Sequence, residues 1–231
     1  IDDVELESAH VVGLSMGALV ALELAIRIPS RVKSLVLVGG GPGGPTTSVP
    51  HLASIAQTVG GLAGDLRGGT WPAAVLFSER FREEQPEQVA KYVKPFQIHR
   101  PPPWITQWQS VAASCFSRAG DLHRVRAPTL VVHGDQDAMS PLSNGDALAR
   151  GIPGAELHIA RGCGHAVILE QPEAAADLII GWADRHADVR PAAAGRWDHV
   201  AERATRPFAL HAGTLRSTLH IAPALWKRLL T

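Results

Sequence analysis

The feature that most restricts how this chain can fold is a G-x-S-x-G pentapeptide, Gly13-Leu14-Ser15-Met16-Gly17, set between two apolar segments of different period. Residues 9–13 (AHVVG) predict a short buried strand. Residues 16–28 (MGALVALELAIRI) predict a helix, ended by Pro29. The small side chains of Gly17, Ala18, Ala21 and Ala25 let that helix lie close against a sheet. A strand that turns at once into a helix forces the residue at the turn into a strained conformation. Gly13 and Gly17 are both expected to remove side chains that would clash across it. The Ser15 hydroxyl then stands at the carboxyl end of a strand and at the start of a helix, where N–H groups and the helix dipole favour a developing anion. In a chain with 22 glycines the bare pentapeptide also arises as an inert turn. The flanking strand and helix argue for chemistry.

Three more strands follow the same style. Residues 32–39 (VKSLVLVG), 129–133 (TLVVH) and 156–160 (ELHIA) are short, and the first two are almost continuously apolar, as strands covered on both faces of a parallel sheet are. Predicted helices at 142–150 and 172–186 alternate with them, which implies an α/β fold. Residues 46–120, after the Gly/Pro-rich 39–45, carry no strand-like run and hold most of the aromatic residues, so they predict an inserted helical cap. The expected organisation is therefore a core at 1–45 with the serine turn, the cap at 46–120, a second core segment at 121–187, and a linker and tail at 188–231.

A serine hydroxyl needs a base, and the base needs an orienting acid. Both are offered where strands end: His133-Gly134-Asp135-Gln136-Asp137 after the third strand, and Arg161-Gly162-Cys163-Gly164-His165 after the fourth. From the residues alone, Asp135 and Asp137 both remain candidates for the acid. His10, His133 and His158 lie in or beside strands and are read as packing residues.

Over residues 9–186 the segments GLSMGALVALELAIRIPSRVKSLVLVG, APTLVVHGDQDAMSP and GCGHAVILEQPE resemble the C-terminal two-thirds of an α/β-hydrolase, and the GLSMG turn is most similar to single-domain esterases and enol-lactonases. The resemblance implies a partial α/β-hydrolase fold, a parallel sheet flanked by helices with a helical cap insertion and its N-terminal strands missing. It also implies the chain order Ser, Asp, His. The pattern H-G-x-x-D-x-x-x-P selects Asp137, with Pro141 four residues on, and leaves Asp135 as a turn residue. Ser15 is then the nucleophile, His165 the base and Asp137 its partner, with the Met16 N–H as an oxyanion donor. Met16 and the cap aromatics Trp71, Phe77, Trp104 and Trp108 are candidate pocket residues; the plainer role for the aromatics is the cap's own core.

The implied function is a serine hydrolase acting on a small carboxylic ester, lactone or thioester. Carbon–carbon bond hydrolases and cofactor-free perhydrolases share the machinery and stay open. The serine turn comes at residue 15, before which the family has strands and helices. A truncated chain with the serine strand as an open edge is thus expected, poorly active and poorly stable alone, or a non-enzymatic binding remnant.

Charge narrows the partners. Lys and Arg together number 22, as do Asp and Glu, so no global field favours nucleic acid. The partner is expected to be a small molecule, with no cofactor and no metal; oligomeric state is not legible. Two cysteines, Cys115 and Cys163, read as free thiols of a cytoplasmic protein or as one disulfide. The tail from 190 carries seven Arg/Lys against two acids, about +5. Leu215, Leu219, Leu225, Trp226, Leu229 and Leu230 give it an apolar helical face. A disordered extension or the start of another module is the plain reading of it, and membrane contact the alternative.

Overall fold

A computed structural model of the chain describes residues 6–44, 47, 71–98 and 102–192. Among these residues, four parallel strands form one sheet in the order β1 (Ala9–Leu14), β2 (Val32–Val38), β3 (Thr129–Gly134), β4 (Glu156–Ala160). Helix α1 (Met16–Arg27) links β1 to β2. Between β2 and β3, among the described residues, come four helices, α2 (Trp71–Leu76), α3 (Glu79–Glu84), α4 (Pro86–Ile98) and α5 (Pro103–Cys115). Helix α6 (Leu142–Gly151) links β3 to β4, and α7 (Val167–Glu170) and α8 (Pro172–Arg185) follow β4. Helices alternate with strands as expected of an α/β fold, with one short addition, α7, that the sequence pattern does not predict.

The apolar runs of β2 and β3 form interior strands because both faces are covered, and strand alternation sends their side chains to two cores. Leu35 and Leu37 of β2 and Val131 of β3 face Ala18, Ala21, Leu22, Ala25 and Ile26 of α1, with Leu148 of α6. Val36, Val38, Leu130 and Val132 face Val167 of α7 and Trp182 of α8, the latter 1% exposed. The alanines expected to bring α1 close to the sheet are all buried. A third, smaller core belongs to the helical insertion: Ala73, Phe77, Val89 and Val93 cluster with Ala166, which follows His165 in the chain.

Register brings the strand ends level. Leu14 pairs with Val38, Val38 with Val132, and Gly134 with Ala160. The loops that begin after Leu14, Gly134 and Ala160 therefore open at one rim of the sheet. Both cysteines are free thiols, Cys115 exposed and Cys163 buried. Among the described residues no helix is long and apolar enough to cross a membrane. The chain divides into two units, Ile1–Ala193 and Ala194–Thr231. The second, with the expectations made for the basic tail, lies outside the described residues, as does most of 45–70.

Candidate active site

The turn between β1 and α1 confines Ser15 to φ 54°, ψ −120°; among the described residues it is the one non-glycine with positive φ. Such a conformation costs on the order of 1–3 kcal/mol and persists only where the surroundings dictate it. Here its N–H donates to the Val38 carbonyl at 2.8 Å, tying the turn to the end of β2, and its carbonyl accepts from Ala18 N–H at 2.9 Å. The glycines divide unequally. A Cβ on Gly13 would overlap the backbone of Gly17 and Ala18, so this position admits no side chain. A Cβ on Gly17 would meet nothing within 4 Å, which corrects the expectation that both glycines are needed for space.

Three side chains meet at the rim. His165 Nε2 lies 2.7 Å from Ser15 Oγ, and His165 Nδ1 lies 2.8 Å from Asp137 Oδ2. A carboxylate can only accept, so Nδ1 carries the proton and Nε2 is left to accept from the serine hydroxyl. The Asp137 side chain is fully buried and His165 is 3% exposed. Asp137 is held by two further donors: Oδ1 accepts from Met139 N–H at 2.9 Å and Ser140 N–H at 2.7 Å. His133, also buried, donates from Nε2 to the Ser140 carbonyl at 2.7 Å and stands 3.5 Å from Asp137 Oδ2. The residue read as packing thus also braces the acid's loop. Asp135 is turned elsewhere: it accepts from Gly162 N–H at 2.7 Å and pairs with Arg161, bracing the loop that leads to His165.

The end of β2 supplies the floor. Gly39, at φ +59°, passes so close to the imidazole that a Cβ there would lie 3.2 Å from the His165 ring. Beside His165, burial, then the charges of Glu170 and Asp135, push the Cys163 thiol up to about 11, so it holds its proton at neutral pH. The backbone N–H of Met16 opens α1, where helix geometry gives it no intrahelical acceptor. A cavity of about 300 Å³ opens onto Ser15 and His165, walled by Met16, Leu19, Phe116, Met139 and Asn144.

The pocket aromatics fall elsewhere. Phe77 is 4% exposed and stacks with Phe81 and Tyr92 at ring separations of 5.5 and 6.1 Å, inside the insertion's own core. Trp104 and Trp108 are 61% and 68% exposed. The Trp71 side chain lies outside what is described. Phe116, one of the aromatics of the expected cap, does line the cavity, as does Met139, which carried no signal in the sequence beyond following a predicted strand. Met16 lines the cavity and is 40% exposed.

Comparison with known proteins gives the same architecture. Residues 1–178 match the model of the Alpha/beta hydrolase family. The chain is 28% identical over 195 residues to 2-hydroxy-6-oxononadienedioate/2-hydroxy-6-oxononatrienedioate hydrolase of Cupriavidus pinatubonensis, covering 78% of this chain and 63% of that protein. It thus spans less than two thirds of that relative's length. Among solved structures, Est816, described as an N-acyl homoserine lactone degrading enzyme, is 28% identical with a TM-score of 0.63, covering 78% of this chain and 70% of Est816. MGS-M2, an alpha/beta hydrolase enzyme from a Medee basin deep-sea metagenome library, superposes with a TM-score of 0.67 at 21% identity, covering 79% of this chain and 67% of its own.

Proposed function

This chain belongs to the alpha/beta hydrolase family, and from that premise we propose that it cleaves a small carboxylic ester, lactone or thioester through an acyl-enzyme at Ser15. The observation that carries the proposal is the unbroken hydrogen-bonded chain from Ser15 Oγ through His165 to Asp137. Ser15 Oγ attacks the carbonyl carbon as His165 Nε2 takes its proton. Asp137 fixes the tautomer and stabilises the imidazolium. The Met16 N–H donates to the oxyanion, a contribution typically worth about 10²–10³ in rate. The imidazolium returns the proton to the leaving oxygen or sulfur as the acyl–heteroatom bond breaks. A water, deprotonated by His165, then hydrolyses the Ser15 ester and releases the acid.

The cavity walls support an uncharged acyl group. Met16, Leu19, Phe116 and Met139 are apolar, and among the described lining residues only His165 has an ionisable side chain. A second reading is favoured by the relative from Cupriavidus pinatubonensis. A 2-hydroxy-6-oxo acid of the kind it is named for contains a ketone and no ester, so its hydrolysis breaks a carbon–carbon bond. The same serine, base and acid serve that reaction.

A fluorophosphonate probe tests the common part. Labelling at Ser15, abolished in Ser15→Ala and in His165→Ala, is expected. A folded chain that never labels would replace the enzyme with a binding role. Turnover of aryl esters and acyl lactones, against loss of the absorbance of a 2-hydroxy-6-oxo-dienoate, then separates the two bonds.

A further inference from the structure

We infer that Glu170 is a positioning residue: it fastens the helical insertion to the loop carrying His165, and so sets the imidazole against Ser15. The inference rests on the proposed role of that histidine. One carboxylate collects three donors from two parts of the chain. Oε1 accepts from the Ser78 N–H and from the Gly164 N–H, each at 2.8 Å, and Oε2 accepts from the Ser78 hydroxyl at 2.6 Å. Ser78 lies in the junction between α2 and α3 and is 4% exposed; its Oγ also accepts from Phe81 N–H, capping α3. Gly164 directly precedes His165. On the other side of the imidazole, Ala166 N–H donates to the Leu76 carbonyl at 2.8 Å. Both neighbours of His165 in the chain are therefore bonded to residues 76–78 of the insertion, one directly and one through Glu170.

The fit leaves no slack. A Cβ on Gly164 would lie 2.7 Å from Ser78 N, 2.8 Å from the Phe77 carbonyl carbon and 2.9 Å from Glu170 Oε1. Ala166 packs in the same small core as Phe77. Charge-assisted bonds from an ionised carboxylate to backbone N–H groups are about twice as strong as neutral ones. Glu170 thus joins the insertion to the histidine loop through three hydrogen bonds, and its loss frees the backbone on one side of the imidazole.

Two readouts test this in the full chain. The first needs no turnover: the downfield proton resonance of His165 Nδ1–H, bonded to Asp137, is expected to shift and broaden in Glu170→Ala, and to a smaller extent in Ser78→Ala, which removes only the Oγ donor. The second is kinetic: Glu170→Ala is expected to slow fluorophosphonate labelling and kcat by up to about 10²-fold, as small misplacements of a reacting group do, with KM changed less than twofold. Glu170→Gln, which keeps an acceptor for the backbone, is expected to recover part of the rate. An unmoved Nδ1 resonance in folded Glu170→Ala and Ser78→Ala would overturn the inference. So would a fall in kcat matched by an equal rise in KM. If the resonance moves as expected but the parent chain never labels, positioning stands and the hydrolase proposal fails.

Discussion

At the level of single residues, the serine turn illustrates how a motif and a structure differ. The pentapeptide treats Gly13 and Gly17 alike, because a regular spacing carries no information about which Cβ has space. Only packing reveals that Gly13 lies against the Gly17 carbonyl while Gly17 faces open space. Gly13→Ala is expected to destabilise by about 1–3 kcal/mol, the ordinary cost of overpacking, and to distort Ser15. Gly17→Ala, inside α1, is expected to keep the fold and to gain up to about 1 kcal/mol from helix propensity. Urea unfolding of the two variants checks this, and equal losses would contradict it. The thiols give a second contrast. Iodoacetamide at neutral pH is expected to alkylate exposed Cys115 and to spare Cys163 until the chain unfolds. The folded state raises the Cys163 pKa. Its contribution to stability is therefore complete below the unfolded thiol value of about 8.5 and is lost as pH rises toward the folded value of about 11. Mass spectrometry of alkylated peptides, in native buffer and in urea, reads this out.

At the level of elements, β2 and β3 were legible because burial on both faces leaves an uninterrupted apolar run. Helix α1 was legible because its alanines mark the side that meets the sheet. The four residues of α7 were not, since one helical turn has too few positions to show a period. The insertion's aromatics were the hardest to place. Their identity is compatible with core, cavity or surface, and Phe77, Trp104 and Trp108 divide between the first and the last. Elements are also joined by charge. Arg118, after α5, pairs with Glu23 on α1, with its Nη2 2.6 Å from Oε1, and with Asp121 at 3.2 Å. The Arg118 guanidinium, opposed by partial burial, holds the Glu23 carboxyl below its usual range. A depressed carboxylate pKa contributes stability above the unfolded value and loses it as pH falls through the folded one. Arg118→Ala is expected to cost under about 1 kcal/mol at neutral pH, since such partly exposed pairs are screened. The difference should vanish in strong acid or high salt. Thermal melts across pH and salt check it, and a difference that persists in acid would assign the effect to packing instead.

At the level of the whole molecule, the order of serine, acid and histidine could be read because each follows a strand, and parallel strands end on the same side. The hydrogen-bonded convergence of Ser15, His165 and Asp137 is the geometric counterpart of that order. What could not be read is the link through Glu170, whose partner Ser78 is 92 residues away and belongs to a segment with no period of its own. Substrate identity is equally illegible, because it depends on cavity walls drawn from Met16 and Leu19 of α1, Phe116 and Met139, scattered across three parts of the chain. The separation of 150 residues between the serine hydroxyl and its imidazole partner has one more effect. On the ribosome Ser15 emerges before His165. A polypeptide stalled or clipped between the two therefore carries the serine with no imidazole beside it.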